Sequence, residues 1–194
     1  IDINDIKQGL IGNCYFLSAI CSFAEFPEIV KQIFKADTLE DNGYYELVFF
    51  IDGEWQTVII DDYIPIYDRR PLGARLSGNE IWVLLLEKAF AKINGGYTNM
   101  IGGKPSEVFY LCAFSNKTLR LKDYSIDYLK EKLLKYNMAN CIMCCSSKNK
   151  EELLGPVGLK TAHAYSLIEV MEYTYDNYYS EDEGGYEEEY NESI

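Results

Sequence analysis

Gln8-Gly9-Leu10-Ile11-Gly12-Asn13-Cys14-Tyr15-Phe16-Leu17-Ser18-Ala19 joins a glycine-punctuated turn to an apolar run that continues to Ala24. Gly9 and Gly12 let the backbone turn sharply ahead of the run. The run reads as a buried helix, which places Cys14 in its first turn. A thiol there meets unpaired backbone N–H groups and the positive end of the helix dipole, and both favour the thiolate. Gln8, six residues upstream, is placed to aim an amide N–H near the same point, as an oxyanion donor must. The alternative is a buried helix with Cys14 as a small hydrophobic side chain.

The chain has one histidine, His163, in Lys160-Thr161-Ala162-His163-Ala164-Tyr165-Ser166-Leu167-Ile168-Glu169-Val170. Its alternating pattern reads as a strand. Cys14 and His163 are 149 residues apart, within the roughly 130–150 residues that separate Cys and His in papain-like enzymes. A histidine in a strand is commonly structural. Paired with a Cys at a helix start and an upstream Gln, His163 becomes the candidate general base.

Further blocks follow in order. Gly53-Glu54-Trp55 precedes Val58-Ile59-Ile60-Asp61-Asp62-Tyr63-Ile64-Pro65. Asn79-Glu80-Ile81-Trp82 then runs into Leu85-Leu86-Glu87-Lys88-Ala89-Phe90-Ala91-Lys92, and His163-Ala164-Tyr165-Ser166 closes the series. With Gln8 to Ala19, these blocks resemble the calpain family of cysteine proteases across roughly residues 5–170.

The resemblance implies an α+β fold, a papain-like two-lobe core with a helical first lobe and a partial antiparallel β second lobe. It implies cleavage of intracellular proteins by acyl transfer, with Cys14 as nucleophile, His163 as base and Gln8 as oxyanion donor. Gly102, Gly103 and Ala162 fall on the walls of the substrate groove. Calcium is the implied regulatory cofactor, with Asp5 and Glu80 among its ligands and the remaining ligand carbonyls upstream of Ile1. A helix-turn cap is the alternative role for Asp5. Three positions depart from the family pattern. Tyr15 replaces a Trp, and Ala162 replaces a Gly before the His. The family's third catalytic residue, an Asn followed by Pro-Trp, has no counterpart, since no Asn-Pro-Trp occurs in the sequence. The expectation is that this strand lies beyond Ile194. A calpain-like scaffold that binds without cleaving is therefore the second functional class.

Composition agrees with a globular protein of one core or two small lobes, at 194 residues and 48% hydrophobic. No apolar run approaches the roughly 18 residues that read as a membrane span. A net charge of −13 with no basic stripe argues against nucleic acid as a partner. Six cysteines at irregular spacing do not form a disulfide framework, and a reducing, cytoplasmic location follows. The chain starts at Ile1 without a Met, so it reads as an excerpt. Protein substrates are the expected partners, with regulatory domains or a subunit outside this chain.

In chain order, Pro27 starts a short helix, and Asp41-Asn42-Gly43 is a turn. Tyr44 to Ile51 and Trp55 to Ile60 form a hairpin about Asp52-Gly53. Asp61-Asp62 invites an acid–base or metal reading, against a solvated strand end. Residues 68–79 read as a loop, whose Arg69, Arg70 and Arg75 would steer an acidic partner or simply be solvated. Glu80 to Asn94 is a long helix with Trp82, Leu85, Leu86, Ala89, Phe90 and Ile93 inward.

The loops after it hold Gly95-Gly96 and Gly102-Gly103. Glycines of this kind let a substrate backbone approach, or serve only the turn. Ser115-Asn116-Lys117 marks a boundary near residue 115, which divides the chain into 1–115 and 116–194. A strand-like segment, then a helix from Ile126 to Tyr136 and a strand from Asn140 to Ser147, follow. Cys141, Cys144 and Cys145 invite a zinc or redox reading, but no second pair lies nearby and a buried strand is preferred. Residues 173–194 hold eight acidic residues, six tyrosines and no Lys or Arg, a tail or insertion that cannot join a core.

Overall fold

Everything in the fold is wrapped around the helix that begins at Cys14. A computed structural model describes residues 1–36, 43–75, 78, 80–149 and 154–173. Helix α1 is Cys14–Ala24, and all its residues are buried except Cys14 and Cys21. A helix apolar on nearly every side needs partners on nearly every side. Helix α2 (Pro27–Ile33) follows at once, with Pro27 in its first turn, where the missing N–H costs nothing.

Strands β1 (Tyr44–Ile51) and β2 (Glu54–Asp61) pair antiparallel from Tyr44↔Asp61 to Ile51↔Glu54. Asp52 and Gly53 both take positive φ, 52° and 87°, as a two-residue hairpin turn of the primed type requires. Tyr45, Leu47 and Phe49 alternate into the core, and an isolated bridge from Phe34 to Leu47 ties α2 to β1.

The segment expected as a loop, 68–79, supplies the turn and second strand of another hairpin, β4 (Arg70–Pro71) pairing with β3 (Ile66–Tyr67) just before it. Asp68 and Arg69 turn it at positive φ, and only two residues pair on each side, too few to leave a periodic signal. Helix α3 (Trp82–Ile93) has its predicted inner face and more, for Val83, Leu84, Glu87 and Ala91 are buried too. The Phe90 ring stacks on Phe16 at 4.5 Å between centroids and meets Tyr15 edge-on at 6.2 Å. These contacts lock α3 against α1.

Helix α4 (Pro105–Leu111), which the sequence did not announce, packs Phe109 against Phe23 of α1 at 5.3 Å. Seven residues are too short for a convincing helical period. The strand-like segment after Lys117 is instead a short 3₁₀ turn at Leu121–Asp123. Helix α5 (Ile126–Met138) starts on the Ser125 side-chain cap and buries no residue fully; Leu129, Leu133 and Leu134 are half-buried.

Strands β5 (Met143–Ser146) and β6 (Ala164–Leu167) form a short antiparallel hairpin in the register Met143↔Leu167 to Ser146↔Ala164. Both are shorter than expected, because pairing stops where the four-residue partner stops. Among the described residues there are three two-stranded sheets beside the helices, an α+β fold. Residues 41–42, 76–77, Asn79 and the acidic segment 174–194, each read above from the sequence, lie outside the described residues. No described helix is long and apolar enough to cross a membrane.

Phe90→Ala is expected to destabilise the chain by about 3–5 kcal/mol, since it deletes a buried ring stacked between two elements. Denaturant midpoints measure this; a change under about 1 kcal/mol would show that α3 does not hold α1.

Candidate active site

Cys14 is the first residue of α1, with a half-buried side chain. Asn13 precedes it as the helix cap residue, yet its side chain makes no cap bond. Its amide points inward instead, and Nδ2 donates to Glu87 Oε1 at 2.7 Å. The Phe16 and Leu17 N–H groups donate to the Asn13 carbonyl at 2.9 and 3.1 Å. Among the described residues, no hydrogen bond takes the N–H of Cys14 or Tyr15. The helix start therefore presents uncommitted donors and its positive dipole end beside the thiol.

Gln8 sits in the same turn. Its Nε2 donates to the Ile11 carbonyl at 3.1 Å, so the amide is folded onto its own turn. The Gln8 segment is held from outside by the 72–75 segment: Leu10 N–H donates to the Leu72 carbonyl at 3.1 Å, and Arg75 N–H to the Lys7 carbonyl at 2.8 Å. The approach is so close that a Cβ on Gly9 would lie 1.5 Å from the Gly73 carbonyl oxygen. Only glycine fits there.

Gly102 and Gly103 lie at the same turn. Gly102, at φ 74°, donates its N–H to the Gly12 carbonyl at 2.9 Å. A Cβ on Gly103 would strike the Tyr15 ring at 2.5 Å. Both glycines are exposed, so this backbone is open to an extended chain. Tyr15 itself is buried, and its hydroxyl is pushed up to about 12 by burial first, then by Glu107 and Cys14.

His163 precedes β6 and is fixed mainly through its backbone. Its N–H donates to Ser147 Oγ at 3.1 Å, and its carbonyl accepts from the Ser147 N–H at 2.9 Å. The imidazole meets the Tyr165 ring edge-on at 4.9 Å. Burial first, and then the Lys160 charge, holds the imidazole below its ordinary value, which favours the neutral, proton-accepting form. Strand β6 is anchored to α1, where Ser166 Oγ donates to the Ser18 carbonyl at 3.1 Å, one turn beyond Cys14. Cys144 Sγ reaches the same carbonyl, and Ser22 Oγ donates to the Met143 carbonyl at 2.9 Å. The hairpin thus brings the His163 strand to the helix that Cys14 begins. Among the described residues, no hydrogen bond joins the Cys14 thiol to the imidazole. Ala162, just before His163, takes φ 46°, the left-handed region that favours glycine.

The other candidates lie apart from this turn. Asp5 Oδ2 accepts from the Asp2 N–H at 2.7 Å, closing a capping box, and from Trp82 Nε1 at 2.9 Å. The Trp82 bond places Asp5 beside the start of α3, two residues after Glu80, which is exposed. Among the described residues, no three His, Cys, Asp or Glu side chains gather as a metal site, the Cys141–Cys145 run included. The described cysteines are all free. Asp61 accepts from Lys88 and from the Tyr63 N–H, which answers the paired-carboxylate reading with an ion pair. A recess of about 450 Å³ between β2 and the end of α3 shares no lining residue with the Cys14 turn.

The sequence reading missed Asn13 and gave Glu87 no role at the site. Glu87 is 1% exposed, and its carboxylate accepts the Ala74 N–H on both oxygens at 2.9 Å besides the Asn13 amide. Burial pushes its carboxyl up, opposed by the bonds from Ala74 and Asn13. A carboxylate inside the apolar run Trp82–Ala91 was the available signal.

The chain matches the family model described as calpain family cysteine protease over residues 1–183. It is 33% identical over 185 residues to a protein named calpain from Schistosoma mansoni, covering 88% of this chain and 24% of that one. It is 32% identical over 187 residues to calpain-5 of Caenorhabditis elegans, covering 86% and 29%. It is also 29% identical over 182 residues to the calpain-type cysteine protease DEK1 of Zea mays, covering 89% and 8%. The chain thus spans less than a third of the length of these relatives.

Two outcomes follow from this geometry. Ala162→Gly relieves a left-handed alanine and is expected to raise stability by up to about 1 kcal/mol, read by thermal unfolding; a loss of stability would contradict the strained backbone. The imidazole signal of His163, the only histidine in the 194 residues, is expected to titrate below its ordinary value. Lys160→Gln should move that titration toward higher pH, because a repelling cation is removed; NMR measures both.

Proposed function

Because this chain belongs to the calpain family of cysteine proteases, we propose that it carries the Cys- and His-bearing part of a calcium-regulated cysteine endopeptidase that cleaves proteins in the cytoplasm. The observation that carries this reading is the anchoring of β6 on α1 at Ser166–Ser18, which joins the His163 strand to the helix started by Cys14. Six cysteines, free wherever described, support a reducing compartment.

In this mechanism His163 takes the Cys14 proton, and the thiolate sulfur bonds to the carbonyl carbon of the scissile peptide. The oxyanion that forms is held by the Cys14 N–H and by Gln8, whose amide must first leave the Ile11 carbonyl. When the C–N bond breaks, His163 gives its proton to the departing amine and a thioester remains. Water, deprotonated by His163, then attacks the thioester. A carboxylic acid leaves and the thiol is restored. Gly102, Gly103 and Ala162 line the path of the substrate backbone.

Asp5 and Glu80 would hold calcium. Their carboxylate oxygens suit a hard cation, and the Asp5–Trp82 bond already places Asp5 beside the start of α3. The ion's charge would cross-link the N-terminal segment to the start of α3. It would take no part in proton transfer.

A calpain-like scaffold that binds without cleaving is the second reading. It is favoured by the commitment of the Gln8 amide to the Ile11 carbonyl.

The deciding experiment uses the full-length protein with a fluorogenic peptide and a thiol-directed peptide inhibitor. Turnover is expected only with calcium, with labelling at Cys14 and complete loss in Cys14→Ala. Glu80→Ala should weaken calcium binding by calorimetry. Binding of protein substrates with no turnover under any calcium concentration would favour the scaffold.

A further inference from the structure

Glu87 is the one fully buried carboxylate among the described residues, and it makes no ion pair there. Burying such a group is costly unless its oxygens are well satisfied, so what satisfies them is informative. Both sets of bonds lead to the candidate oxyanion hole. Asn13 Nδ2 donates to Oε1 at 2.7 Å, and Asn13 is bonded through the chain to Cys14. The Ala74 N–H donates to both oxygens, and the segment around Ala74 pairs with the chain on either side of Gln8, through Arg75–Lys7 and Leu72–Leu10. A Cβ on Gly73 would lie 1.8 Å from Glu87 Oε2, so the backbone has closed directly onto the carboxylate.

The same bond has a second effect. Asparagine is among the best capping residues for a helix, yet Asn13 gives α1 no side-chain cap. Its amide nitrogen is taken by Glu87, and its Oδ1 is buried with no partner among the described residues. The Tyr97 hydroxyl, close enough for the Glu87 charge to act on it, is likewise buried and unpaired. With Asn13 turned inward, the first N–H groups of α1 stay uncommitted.

We propose that Glu87 is the positioning residue of the oxyanion hole, one buried carboxylate that fixes both the turn carrying the Cys14 N–H and the segment that aligns Gln8. This rests on the peptidase reading above, and the test separates the two. In the full-length protein with calcium, Glu87→Met removes the acceptors at nearly constant volume. It is expected to lower kcat for peptide hydrolysis about 10²-fold, the scale of losing one oxyanion donor, with KM changed less than about threefold. Affinity for a peptidyl aldehyde, whose adduct with Cys14 carries the same oxyanion, should fall in step with kcat. Alkylation of Cys14 by iodoacetamide develops no oxyanion and should stay within about threefold. Glu87→Gln, which keeps an acceptor in place, should recover most of the loss. If Glu87→Met does not fold, Asn13→Ala carries the same test, since it breaks only the arm to Cys14 and leaves Ala74 bonded. Aldehyde affinity and alkylation falling together would overturn the proposal, as would unchanged kcat in both Glu87→Met and Asn13→Ala. Failure of the unsubstituted protein to hydrolyse peptide, with normal alkylation of Cys14, would overturn the peptidase reading and this inference with it.

Discussion

The fold answers one constraint: α1 must be enclosed on nearly every side, while its first residue must stay open. Enclosure comes from four directions, with Phe90 of α3, Phe109 of α4, α2 and the β5–β6 hairpin all packed on it. The ring contacts fall on Tyr15, Phe16 and Phe23. Cys14 is only partly buried against this core, and the turn before it is held by backbone bonds, Leu10 to Leu72 and Gly102 to Gly12. Glycines make this arrangement feasible, because a Cβ at Gly9, Gly73 or Gly103 would collide with what it faces. The helix is buried by bulk along its length and left open at its start by the absence of bulk.

That open end would be loose without a polar fixture. Hydrophobic packing is non-directional and cannot by itself set a turn to within a fraction of an ångström. Hydrogen bonds to a buried carboxylate can, since they are short, directional and stronger than neutral ones. Glu87 accepts from the Ala74 N–H and from the Asn13 amide, which ties α3 to both the turn before Cys14 and the segment beside Gln8. The cost is a desolvated carboxylate and an unpaired Asn13 Oδ1, and it is borne where geometry matters most for the proposed chemistry.

What the sequence disclosed, and what it hid, divides along the same line. Helix α1 from Cys14, helix α2 from Pro27 and the Asp52-Gly53 hairpin were legible because each has a local cause, a long apolar period, a proline at a first turn or a paired positive-φ turn. Helix α4 and the β3–β4 hairpin were not, since seven residues and two paired residues are too few to show a period. Strand β6 was placed but overextended: its alternation runs past the length of its partner, and pairing rather than pattern ends a strand. Cys14, His163, Gln8 and the glycines stood out by type and spacing. Asn13 and Glu87 did not, because their link spans 74 positions and exists only after α1 and α3 pack. A polar residue within an apolar helical run is the trace such links leave in a sequence.

The two members of the candidate pair are also held unequally. Cys14 begins a helix enclosed by the main core, next to a buried carboxylate. His163 sits at the edge of a hairpin with four residues on each side, of which only Ala164 is fully buried. Free energies of local opening follow buried contact, so the hairpin opens more readily than α1 unfolds. Besides the packing of buried Ala164, its hold on α1 is a few hydrogen bonds, Ser166 and Cys144 to the Ser18 carbonyl and Ser22 to the Met143 carbonyl. The imidazole's own backbone rests on Ser147, within the same hairpin, so hairpin and His163 move as a unit. A displacement of that unit relative to α1 changes the Cys14–His163 separation while leaving the Glu87-bound turn in place. The surroundings of Cys14, the candidate nucleophile, are therefore set by the core, and the distance of His163, the candidate base, is set by how the hairpin rests on α1.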